Sequence, residues 1–133
     1  MNYKKLQKLA LQEAEKLREY ATPEQKARLN VYNFNPQREH ACIYGLMTGS
    51  CETPEAHELA RHCTTGLFDS EVVSEAVSVS GSSLQEFYDG RRKRRERGYF
   101  TPLEVYIYDN YEDGLQLLKY IKGEIAQPKL TDL

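Results

Sequence analysis

Apolar positions in the first twenty residues recur at helical spacing. Leu6, Leu9, Ala10, Leu17 and Tyr20, with Glu13 among them, approximate one stripe, and Lys and Glu residues surround it. The pattern predicts a first helix over about residues 2–20. Beyond it, the chain is punctuated by prolines. Pro23, Pro36, Pro54 and Pro102 each follow a Thr or Asn: Thr22, Asn35, Thr53 and Thr101. Such side chains cap a helix, because their oxygen accepts an otherwise unpaired N–H of the first turn. Proline suits the first helical position, where its missing N–H costs nothing. Thr22 with Gln25, and Thr101 with Glu104, also have capping-box spacing, as does Ser83 with Glu86 without a proline. Pro128 alone stands outside this pattern.

These starts predict a mainly α protein, a compact multi-helix domain. A short helix follows Thr22, with Ala27 and Leu29 inward. A third runs from Pro36 to near Met47 and stops at Gly49. A fourth runs from Pro54 to about Thr64, ended by Gly66. A short helix over residues 69–77, a loop over 78–83 and a helix from Leu84 to about Gly90 come next. The stretch Val105–Tyr108 has strong strand propensity, so the alternative is an α+β fold with a short strand near residues 103–108. The capping box before it, and the spacing of Leu103, Tyr106 and Ile107, favour helix. Leu115, Leu118 and Ile121 mark a last helix, with Gly123 as its stop. The reading is one helical domain over residues 1–126 and a flexible C-terminal tail over 127–133.

A chain of 133 residues suits one domain with its own core. No apolar run approaches the ~20 residues that span a bilayer. The charged N-terminus lacks the apolar core of a signal peptide. A soluble, cytoplasmic protein with no membrane association is expected. Three cysteines, without the spacing of a disulfide framework, are expected to be free thiols in a reducing compartment.

Charge changes this picture. Arg91 to Arg97 reads RRKRRER, in which six of seven residues are basic, although the whole chain has a net charge of −2. An acidic body therefore carries one dense cationic segment. Such a run is either a solvated helix end, where cations favour the negative end of the dipole, or a clamp for phosphates or for an acidic protein surface. Tyr99 and Phe100 follow it directly, and exposed rings can stack on bases. The candidate binding residues are Arg91, Arg92, Lys93, Arg94, Arg95, Arg97, Tyr99 and Phe100. Single-stranded nucleic acid or a phosphate-backbone contact fits better than duplex readout, because no helix-turn-helix pattern stands out.

Every cysteine and histidine lies between His40 and Cys63. Cys42, Cys51, His57, His62 and Cys63 are the candidate metal ligands, but no CxxC or HxxxH pair exists to clamp an ion locally. Packing explains more. Ala56, Leu59, Ala60 and Cys63 share one helical face, as do Cys42 and Leu46, and buried free cysteine behaves as a small hydrophobe. Cys51, just before a helix start, is the best nucleophile candidate, but no base is evident beside it. Tyr44-Gly-Leu-Met-Thr-Gly49 lacks the glycine spacing of a phosphate loop. No catalytic residue and no cofactor are assigned, and an enzyme is not expected.

Two fragments carry a family resemblance: Cys42-Ile-Tyr-Gly-Leu-Met-Thr-Gly-Ser-Cys51, and Tyr99-Phe-Thr-Pro-Leu-Glu-Val-Tyr-Ile-Tyr108 with Leu118-Lys-Tyr-Ile-Lys-Gly-Glu124. They resemble small uncharacterised proteins of gut anaerobic bacteria and their phages, a group without an assigned activity. The resemblance covers about a third of the chain. It implies a phage or mobile-element accessory protein that acts by binding, and no catalytic residues. Together these readings give a non-enzymatic macromolecule-binding protein, with nucleic acid ahead of an acidic protein partner. The alternative is a protein–protein module, such as an accessory or inhibitor protein, that can self-associate as a homo-oligomer.

Overall fold

The computed structural model of the chain describes residues 3–30, 32–34, 43–49, 53–64 and 101–132. Six helices lie among them: α1 (Tyr3–Tyr20), α2 (Pro23–Arg28), α3 (Ile43–Thr48), α4 (Pro54–Thr64), α5 (Pro102–Asp109) and α6 (Tyr111–Lys122). The described residues hold no strand, and the fold is mainly α. The expected helix start at Pro36 and the elements expected over 69–90 lie outside the described residues.

Local chemistry sets the helix ends. Thr22 Oγ1 accepts the Gln25 N–H at 3.1 Å, and Gln25 Oε1 accepts the Thr22 N–H at 2.9 Å. Thr101 and Glu104 exchange the same pair of bonds, each at 3.2 Å. Thr53 Oγ1 accepts the Ala56 N–H at 3.1 Å. Gly123 ends α6 in the left-handed region, at φ 79°, and its N–H reaches back to the last carbonyls of the helix.

α1 packs against α4, α5 and α6, and α3 joins α2 to α4. The buried stripe of α1 is Leu6, Ala10, Glu13, Ala14 and Leu17. Tyr20, expected on that stripe, is exposed, and Leu9 lies at its edge. α5 buries Leu103, Val105, Tyr106 and Ile107. It packs against both α1 and α6, which also pack on each other, and every position from 102 to 107 is buried. That burial on every side is why its sequence also reads as a strand.

Two inward positions differ from expectation. Ala27 is exposed, because the single turn and a half of α2 aims Gln25 and Leu29, four residues apart, at the core. Leu117 takes the place expected of Leu115, because Gly114, Leu117, Leu118 and Ile121 form the inward face of α6.

Residues 129–131 bond to the body of the protein. Thr131 N–H and Oγ1 donate to Asp113 at 3.0–3.2 Å, Lys129 N–H donates to Gln116 Oε1 at 3.1 Å, and Gln7 Nε2 donates to Thr131 O at 2.7 Å. Leu130 packs against the core beside them. No helix among the described residues is long and apolar enough to cross a membrane.

Candidate binding surface and buried polar centre

α4 separates the cysteine and histidines it carries. Cys63 is fully buried with Ala56 and Ala60, as the helical spacing predicts. Burial, and then the negative charge of Glu13, pushes its thiol up to about 12, with Lys16 opposing. At neutral pH it is a packed thiol and not a nucleophile. His62 is exposed and meets Tyr20 edge-on, with ring centroids 4.2 Å apart. His57 is half-buried, and its Nε2 has no hydrogen-bond partner among the described residues. Among the described residues no group of three or more His, Cys, Asp or Glu side chains is arranged to hold a metal. His40, Cys42 and Cys51 lie outside those residues.

The cationic segment also lies outside them: Arg91, Arg92, Lys93, Arg94, Arg95, Arg97, Tyr99 and Phe100 are not described. The chain is described again from Thr101, the cap of α5. A second basic surface, however, is fully described. Lys4, Lys5 and Lys8 are exposed on the first turns of α1. With Gln7, Gln12 and the half-buried Leu9 and Leu11 they line an open groove of about 690 Å³. Among the described residues that lining holds no acid, and the first turn of α1 carries none. This is the helix end where cations are disfavoured, because the dipole is positive there. The Lys-Lys-Leu-Gln-Lys run was visible in the sequence, but only as the polar surround of an apolar stripe. Its signal was the lack of an acid in the first turn.

The main polar centre inside the protein was not legible in this way. Glu13, in the middle of α1, is fully buried. Its Oε2 accepts the Tyr44 hydroxyl at 2.6 Å, and its Oε1 accepts the Leu103 N–H at 3.1 Å. The Thr101 hydroxyl also acts on it and favours its charged form. The Leu103 N–H is one of the first-turn donors of α5 that no carbonyl of its own helix can satisfy. Glu13 thus caps α5 from another helix. Tyr44 comes from α3, so one carboxylate joins three elements.

A second centre lies at the other end of α5. The Tyr106 hydroxyl donates to Asp113 Oδ2 at 2.5 Å and accepts from Gln7 Nε2 at 2.9 Å. Burial, and then the bond to Asp113, holds the Tyr106 phenol well above its ordinary range. In both centres the carboxylates and phenols are engaged by the protein itself. They bond helices together, and neither centre pairs a nucleophile with a base.

The chain matches no known protein family, no curated protein and no solved structure.

Proposed function

We propose that this protein is a non-enzymatic binder of polyanions, and that single-stranded nucleic acid, held by its phosphate backbone, is its first ligand. The observation that carries the reading is the lysine groove on α1. Lys4, Lys5 and Lys8 line it, and no acid does among the described residues. A cation in the first turn of a helix, as Lys4 is, costs about 0.3–1 kcal/mol at low salt. A bound anion reverses that cost. The segment Arg91–Arg97 supplies a second, denser set of cations with Tyr99 and Phe100 next to it. Phosphate neutralisation by both sets would release counterions and draw strand and protein together. The polar centres support the non-enzymatic half of the reading, because their acids are used up in holding helices.

Fluorescence anisotropy with labelled single-stranded and duplex oligonucleotides, at several salt concentrations, tests it. Micromolar or tighter binding to the single strand is expected, weakened when Lys4, Lys5 and Lys8 are changed to Gln, and again when Arg91, Arg92, Lys93, Arg94 and Arg95 are. Absence of binding at low salt would end the nucleic-acid reading. The protein would then be read as an interaction module for an acidic partner, in keeping with an accessory or inhibitor role.

A further inference from the structure

Glu13 sits where a carboxylate is expensive. It is fully buried, and the described groups that act on it bring no compensating positive charge. From α3 it faces the Tyr44 phenol, and from α4 the Cys63 thiol, on which its charge acts. From the start of α5 it faces the Thr101 hydroxyl, the Leu103 N–H and the like charge of Glu104. On its own helix, Lys16 lies one turn on and acts on Cys63. The Tyr44, Leu103 and Thr101 donors favour the ionised form, but desolvation outweighs them and Glu104 adds to it. The Tyr44 phenol is pushed well above its ordinary range, by burial first and then by Glu13. The exchangeable proton of this cluster therefore belongs to Glu13.

We propose that Glu13 is a proton-operated latch, which ties α1 to α3 and to the first turn of α5 more firmly in acid than in base. The step is the uptake of one proton from solvent by the carboxylate. In the ionised state, Oε2 accepts from the Tyr44 hydroxyl. In the neutral state, the new O–H at Oε2 donates to the Tyr44 oxygen across the same 2.6 Å contact, and Oε1 continues to accept the Leu103 N–H. The Tyr44–Glu13 contact persists with donor and acceptor exchanged, and the Tyr44 hydroxyl hydrogen turns away from Oε2. What changes is the cost of burying the group. Burial pushes the carboxyl up to about 7, against 4.5 in an exposed chain. Within that window the folded protein holds a proton that the unfolded chain has lost. Stability is highest below the window, falls as pH rises through it, and has lost the whole contribution above it. The latch is independent of what the lysine groove binds.

Urea unfolding of the full chain between pH 5 and 8, at constant ionic strength, tests the proposal. The folding equilibrium constant of the wild type is expected to fall about tenfold per pH unit through the middle of the window. Glu13→Gln imitates the neutral carboxyl: its carbonyl can accept the Leu103 N–H and its NH₂ can donate to Tyr44. It is expected to lose that fall, while every other titrating group remains common to both proteins. Equal slopes for wild type and variant would overturn the proposal. Should the variant not fold, the carbon NMR signal of the Glu13 carboxyl in the wild type decides. A midpoint near neutrality supports the latch, and a midpoint at the usual value of about 4.3 overturns it.

Discussion

At the scale of single residues, Gly114 shows how closely the last two helices fit. Glycine inside an exposed helix costs about 1 kcal/mol relative to alanine. Here a close contact opposes that gain. A methyl group at position 114 would stand 3.0 Å from Ile107 Cβ, 3.2 Å from its Cγ2 and 3.6 Å from the Phe34 ring. Only Asn110 separates α5 from α6, so their first contact has little room to open. Gly114→Ala is expected to lower stability by about 1–3 kcal/mol, the usual range for an overpacked core. Differential scanning calorimetry would read this as a lowered Tm; a raised Tm would mean that α5 yields. Glu13 belongs to the same scale and shows what sequence cannot display. Its position within an apolar stripe was visible, but its donors come from residues 44, 101 and 103. Those partners meet it only once the helices have packed.

At the scale of elements, the helix starts were legible because a capping box is made within four residues. Both boxes form, yet their settings differ. Thr22 is exposed, whereas Thr101 is fully buried and also acts on Glu13. Thr22→Ala is expected to cost about 1 kcal/mol, the ordinary value of an N-cap. Thr101→Ala removes the same cap, strands a buried N–H and takes a donor from Glu13, so about 2–4 kcal/mol is expected. Urea unfolding at pH 7 would measure both; equal losses would mean that Thr101 gains nothing from its burial. Inward faces were less legible than starts. α5 is buried at every position from 102 to 107, Glu104 included, so its pattern carries little phase, and helix was separated from strand by its cap and by the spacing of Leu103, Tyr106 and Ile107. The bonds of residues 129–131 were not legible, because their partners, Asp113, Gln116 and Gln7, are distant in sequence.

At the scale of the whole molecule, a few charged groups have separate tasks. Carboxylates Glu13 and Asp113 are inside, where they bond helices and the chain end. Lysines Lys4, Lys5 and Lys8 are outside, on a helix end that their charge does not favour. Salt dependence gives this arrangement a number. For a single strand, the logarithm of the binding constant falls with the logarithm of salt concentration by about 0.7 per phosphate neutralised. If the α1 groove contacts the backbone with its three lysines, changing all three to Gln should reduce the slope by about 2. If the lysines only raise the local potential, affinity drops while the slope changes little. Anisotropy titrations of both proteins at four or more salt concentrations distinguish the two. A slope reduced by about 2 makes α1 part of the contact surface. An unchanged slope with wild-type affinity would leave the Arg91–Arg97 segment as the whole of the site and the lysines as solvent-facing charge.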